Sequence, residues 1–231
     1  MRTIPIVPLD VPSAVDALEL VDHLGDRCTF YKVGNELFTA AGPAMVRELR
    51  ARNCDVFLDL KFHDIPNTVA GGVRNAVEMG ARLVTVHATG GRAMLEAAAA
   101  AAGPSCGVLA VTVLTSLAGQ DIAAAWGRHD ELDVSDEVLR LAEIAAAAGA
   151  HGIVCSGHEA ARVRERFGDQ LAVLVPGVRA AGGPVQDQAR VVTPRDVAAA
   201  GARYAIIGRM VTAAPDRRAA MDQVLRELGG E

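Results

Sequence analysis

Short apolar runs alternate with longer segments whose apolar residues recur every three or four positions, and the alternation holds from one end of the chain to the other. Runs rich in Val, Ile and Leu at 4–9, 29–33, 55–60, 83–87, 107–113, 152–155, 172–175 and 204–207 have the length of strands. Segments rich in Ala, Leu, Glu and Arg near 12–24, 43–52, 67–79, 91–102, 135–148, 157–167, 194–200 and 215–228 have helical period. Ser13 and Ser135 are placed to cap, Pro43, Pro194 and Pro215 suit first turns, and Gly80, Gly149 and Gly201 stand where helices end. The strand runs are apolar throughout rather than alternating, as strands covered on both faces should be. Eight βα units predict an α/β fold, a single (β/α)8 TIM barrel over residues 1–231, in preference to a doubly wound sheet. Two connections are long, 115–133 and 176–192, and long loops in compact domains are often lids over a site.

Composition narrows the partners. Hydrophobic residues make up 51% of the chain and aromatics only 3%, so Ala, Val, Leu and Ile must build the core. A net charge of −5 with no Lys/Arg block argues against a nucleic-acid face, while leaving room for a local cationic pocket. The first residues run straight into a strand without an apolar signal region, and no apolar stretch reaches the roughly 18 residues a membrane span needs. A cytoplasmic protein away from the membrane is expected. Cys28, Cys54, Cys106 and Cys155 form no CxxC pair, and the histidines form neither HxxxH nor HExxH. Neither a bound metal nor a disulfide framework is expected; the cysteines read as reduced core residues.

Lysine is the scarcest charge. Lys32 and Lys61 stand against twenty-one arginines within the 23 basic residues, so Arg supplies nearly all the surface positive charge. A lysine can give up its proton and an arginine essentially cannot, which makes each lysine a candidate for chemistry as well as for a structural ion pair. In a barrel the site lies at the C-terminal strand ends, and there the polar residues fall: Asp10, Lys32, Asp59 with Lys61, His87, Thr115 with Ser116, and Gly208 with Arg209. Asp59 and Lys61 are two apart in a strand, hence on one side, with Asp64 just beyond. An ammonium between carboxylates stays charged, which suits either a proton donor to a carbanion-like centre or a fixed electrostatic device. Gly208-Arg209 before a helix, with Arg179 and Gln188 from the seventh loop, reads as a phosphate site.

The stretch Asp59-Leu60-Lys61-Phe62-His63-Asp64-Ile65-Pro66-Asn67-Thr68 closely resembles the signature of the orotidine 5′-phosphate decarboxylase family. Pro8-Leu9-Asp10, Tyr31-Lys32-Val33-Gly34, the run 111–116, Pro176-Gly177-Val178-Arg179, Asp187-Gln188 and Ile207-Gly208-Arg209 follow in the family's order. Pro8, Asn35 and Met210 depart from its usual residues without touching the charged set.

The resemblance implies decarboxylation of orotidine 5′-phosphate to UMP, the last step of de novo pyrimidine synthesis, without metal or organic cofactor. It implies that Lys61 protonates C6, Asp59 lies against the departing carboxylate, and Lys32 joins the charge network and contacts the ribose. Asp10 would bind ribose hydroxyls, and Thr115 with Ser116 would read the pyrimidine edge. Arg179, Gln188, Gly208 and Arg209 would hold the 5′-phosphate. Asp64 and Thr68 would reach into the partner's site of a homodimer. Two rivals are a Mg²⁺-dependent 3-keto-gulonate 6-phosphate decarboxylase or hexulose phosphate synthase, and a non-catalytic nucleotide-binding barrel. The first would place an acidic metal ligand where this chain has Lys32.

Overall fold

The computed structural model describes residues 2–127, 132–180 and 192–229. Eight parallel strands close on themselves in sequence order: β1 (Ile4–Pro8), β2 (Phe30–Gly34), β3 (Asp55–Phe62), β4 (Leu83–His87), β5 (Gly107–Val111), β6 (Gly152–Val154), β7 (Ala172–Val175) and β8 (Tyr204–Ile206). Closure is made where β1 pairs with β8, Ile4 opposite Tyr204 and Ile6 opposite Ile206. The barrel expected from the run pattern is the barrel observed.

Around it lie α1 (Ala14–Leu24), α2 (Asn35–Ala51), α3 (Pro66–Glu78), α4 (Arg92–Ala102), α5 (Gly119–Ala125), α6 (Val134–Ala147), α7 (Gly157–Phe167), α8 (Pro194–Ala199), α9 (Arg209–Thr212) and α10 (Arg217–Gly229). Local chemistry sets their ends. The Ser13 hydroxyl accepts from the Asp16 N–H, and Pro194 opens α8 behind a Thr193 cap. Gly80, Gly149 and Gly201 all take positive φ just past a helix, as the sequence suggests.

Three expectations need correction. The cap of α6 is Asp133 rather than Ser135; its carboxylate accepts from the Asp136 N–H. The helix expected from residue 43 is the second half of α2, which begins at Asn35 and kinks at Gly42 (φ 62°) just ahead of Pro43. The connection after β5 is not all loop: it carries α5, whose first turn is held by Asp121 accepting from the Ala118 N–H at 2.8 Å.

Two apolar layers hold the molecule together. Inside the barrel, Ile6, Phe30, Phe57, Leu83, Leu109, Leu174, Tyr204 and Ile206 form one cluster. A larger cluster, dominated by Val, Leu and Ala, fills the space between strands and helices. Each such aliphatic side chain contributes about 1.5–3 kcal/mol on full burial. All four cysteines are buried in the core. Among the described residues no helix is long and apolar enough to cross a membrane. Arg162, Arg164 and Arg166 pair with Asp136, Asp169 and Glu143 on the outer surface, which makes them a solvated helix face.

Candidate active site

Side chains at alternate positions of a strand share a face. Phe30, Phe57 and Leu83 pack inside the barrel, and the next residues on the same face are polar: Lys32, then Asp59, then Thr85 and His87. The barrel therefore has an apolar floor with a polar layer above it. Asp10, Lys32, Asp59, Lys61, Thr115, Arg179, Gly208 and Arg209 line one cavity of about 890 Å³ at the C-terminal end of the strands. Val111, Val113, Val154, Leu174 and Ile206 form its apolar wall. Thus eight of the residues singled out from the sequence come together.

Charges alternate along one side of that cavity. Lys32 Nζ donates to Asp10 Oδ1 at 2.7 Å and lies 3.9 Å from Asp59 Oδ2. Lys61 Nζ donates to both oxygens of Asp59, at 2.9 and 3.0 Å. Lys32 and Asp59 are nearly enclosed, their side chains 11% and 13% exposed, whereas Lys61 at 32% keeps a face open to the cavity. Both lysines line the cavity, and Lys61 is the more open of the two to a reacting molecule.

The pleat alone does not place Lys61. Between the pairs Leu58 with Val84 and Phe62 with Val86, β3 spends four residues where β4 spends two, so β3 bulges. Lys61 sits in the bulge with φ 53°, a left-handed conformation that costs a residue with a Cβ about 1–2 kcal/mol. Its N–H, displaced from the ladder, donates to Thr85 Oγ1 at 2.9 Å, and that hydroxyl donates to Asp59 Oδ1 at 2.9 Å. Thr85 is wholly buried. The sequence reading passed over it, although its place on the inner face, two residues before His87, was the available signal.

Two further features shape the site. A Cβ added at Gly34 would stand 2.8 Å from Lys32 Nζ and 3.3 Å from Asp10 Oδ1, so the glycine makes room for that ion pair. The His87 ring lies 5.4 Å from that of His63, tilted 39°. Burial, then the neighbouring His63 and Lys61, push the His87 pKa down. Among the described residues no three His, Cys, Asp or Glu side chains converge as a metal centre would.

With this geometry in hand, the comparisons are direct. The orotidine 5′-phosphate decarboxylase / HUMPS family matches residues 3–224. The chain belongs to this family. It is 46% identical over 227 residues to orotidine 5′-phosphate decarboxylase of Halorhodospira halophila, covering 96% of this chain and 94% of that one. It is 48% identical over 230 residues to the protein of the same name from Alkalilimnicola ehrlichii, covering 98% and 96%. The crystal structure of the Lactobacillus acidophilus orotidine 5′-phosphate decarboxylase superposes with a TM-score of 0.86 at 33% identity, covering 99% of both chains.

The ten residues that resemble the decarboxylase signature divide between two surroundings. At the end of β3, Asp59 and Lys61 line the site, while Leu60 and Phe62 pack on the opposite face against the layer between strands and helices. Asp64 and Thr68 are exposed and do not line the cavity; the Asp64 carboxylate accepts from the Ile65 N–H at 2.6 Å. Among the described residues Lys61 therefore pairs with Asp59, and Asp64, the expected second carboxylate, is not beside it. Ser116 is exposed in a turn, and does not line the cavity either.

Gly208 precedes α9, where an added Cβ would stand 3.7 Å from Pro8, and Arg209 opens that short helix. The Arg179 N–H donates to the Val192 carbonyl, tying together the two ends of the connection after β7. Gln188 and His129 lie outside the described residues. Trp126, at the end of α5, is exposed.

Proposed function

We propose that this chain decarboxylates orotidine 5′-phosphate to UMP and CO2, closing de novo pyrimidine synthesis, as one domain and without metal or organic cofactor. The observation that carries the reading is the row Asp10, Lys32, Asp59, Lys61, alternating in sign along the wall of a nucleotide-sized cavity. The C6–CO2 bond breaks with its electron pair left on C6, a vinylic carbon with no electron sink beside it. A fixed ammonium is the complement that such a charge requires. Lys61 donates its proton to C6 and regains one from solvent. Asp59 holds Lys61 and lies against the departing carboxylate; Lys32 keeps the row aligned and, with Asp10, meets the ribose hydroxyls.

Thr115, with Ser116, reads the pyrimidine edge. Arg179, Gln188, Gly208 and Arg209 hold the phosphate, whose binding energy supports closure over the site. Asp64 and Thr68 complete the site of a second copy in a homodimer. Their exposure, beside an Ile65 that is 67% exposed, is in keeping with that role. The rival reading, Mg²⁺-dependent sugar-phosphate chemistry, is disfavoured by Lys32, a cation where a metal ligand would be needed. The protein is expected to work in the cytoplasm.

The deciding experiment follows the absorbance of orotidine 5′-phosphate with EDTA present, wild type beside Lys61→Ala. Rapid loss with wild type only is expected. Turnover of wild type that EDTA abolishes would return the Mg²⁺-dependent reading, and binding of UMP without turnover would leave a nucleotide-binding barrel. The dimer is tested by mixing inactive Asp64→Ala with inactive Lys61→Ala protein: shared sites restore activity to about a quarter of wild type, because half the dimers then hold one intact site. No recovery refutes the shared site.

A further inference from the structure

Thr85 lies in an apolar run and is absent from every role assigned above, yet its hydroxyl is the junction between the two residues on which the chemistry turns. We infer that Thr85 is a positioning residue: it holds Asp59 and Lys61 in their reactive arrangement without itself touching substrate. The inference rests on the decarboxylase reading of the site.

The geometry is specific. A buried threonine hydroxyl commonly satisfies itself on a nearby carbonyl. The Thr85 hydroxyl instead makes both its hydrogen bonds across to β3, accepting from the Lys61 N–H and donating to the Asp59 carboxylate, each at 2.9 Å. A hydroxyl has one proton, and here it is committed to the carboxylate. Asp59 Oδ1 thereby receives Thr85 on one side and the Lys61 ammonium on the other.

The bulge explains the need. Lys61 has left the strand ladder for a left-handed conformation, and its N–H would be stranded inside the barrel mouth without an acceptor. Thr85 supplies one, and it does so from the inner face of β4, where the residue below it is apolar Leu83. Backbone of the donor and carboxylate of its partner are thus fixed by one atom. A displacement of about 1 Å in a reacting group can slow a reaction by about a hundredfold, so the hydroxyl is expected to act on kcat.

Thr85→Val keeps the shape and removes the hydroxyl, while Thr85→Ser keeps the hydroxyl and removes a methyl. With orotidine 5′-phosphate, Thr85→Val is expected to lower kcat by about 10–100-fold. KM and the affinity for UMP should stay within about threefold of wild type, because Thr85 lies away from the ligand. Thr85→Ser should stay near wild-type kcat. Equal impairment of both variants would mean that only packing matters, and a wild-type kcat in Thr85→Val would overturn the inference outright. Should the valine variant not fold, Thr85→Ala against Thr85→Ser gives the same decision: equal kcat overturns it.

A second readout needs no substrate. Protein grown on ¹⁵N-lysine has only the backbone amides of Lys32 and Lys61 in its amide spectrum, since the chain has no other lysine. In Thr85→Val the Lys61 amide should shift and exchange with solvent about tenfold faster, with Lys32 unmoved, because its acceptor is gone. An unmoved Lys61 amide refutes the positioning role even if wild type proves inactive on orotidylate; inactivity of wild type alone refutes the assigned reaction and leaves this result standing.

Discussion

The two sides of the barrel mouth are built on different principles. On the side of β1 to β4, ionic groups lie close together, each held by a neighbouring side chain: Asp10 by Lys32, Lys61 by Asp59, Asp59 by Thr85. On the side of β5 to β8 the wall is Val111, Val154, Leu174 and Ile206; of the arginines that line the cavity, Arg179 and Arg209 stand just beyond strand ends and Arg217 opens α10. The first side is fixed before any ligand arrives. The second presents apolar surface, with arginines supplied by the segments that follow β7 and β8. In the proposed reaction the ionic side answers charge that develops on C6, and the arginines opposite it grip charge already present on phosphate. A preorganised array is most useful for the former, since it need not reorient as the bond breaks.

Substitutions on each side should therefore fail differently. The largest effect is expected from Lys61→Ala, a loss of at least about 10³–10⁴ in kcat with nucleotide affinity largely kept. Loss of UMP affinity in the same proportion would show that Lys61 binds rather than reacts. On the opposite side Arg209→Ala should raise KM by about 10–100-fold, the worth of one charged hydrogen-bonding group, with kcat far less changed. A normal KM with a dead kcat would erase the distinction between the two sides.

Gly34→Ala sharpens it from within the charged side. The added methyl would press on the end of Lys32, a flexible chain that can swing away, so the fold should keep its melting temperature. The ion pair with Asp10 would be displaced instead, and kcat should drop by about tenfold. A melting temperature lowered in step with activity would place the damage in the fold.

The smallest effect concerns pH. His87 has its pKa depressed in the folded protein, so its contribution to stability is fully present above the ordinary 6.5 and is lost as pH falls towards the folded value. Denaturant titrations of His87→Asn between pH 5 and 7 should show a flatter decline than wild type. An unchanged slope would exclude His87 as a contributor.

Most of the barrel was legible because its signals are redundant. β4 and β7 fall where their apolar runs fall, and Pro194 and Gly201 mark α8 at its two ends. The charged side was legible for a narrower reason: only two lysines exist, and both stand at strand ends. Thr85 was not, because a β-branched residue inside an apolar run looks like any other strand former. Nor was the bulge, since Lys61 adopts positive φ without the glycine that usually announces it. The first half of α2 escaped because Gly34 caps it with no side chain and Pro43 imitates a start. Asp64 and Thr68 point to a different limit: one chain holds only one side of the surface proposed for them.

The four cysteines have a practical use that their role as core filler conceals. Burial pushes the thiols of Cys28 and Cys106 up to about 11, so in the native protein they are almost wholly un-ionised and inert to alkylation. Each reacts only when its surroundings open. Cys28, Cys54 and Cys106 lie just before β2, β3 and β5, and Cys155 just after β6. Thiol labelling thus offers four clocks on one barrel, three at its foot and one near its mouth, that time the breathing of the scaffold apart from the chemistry it supports.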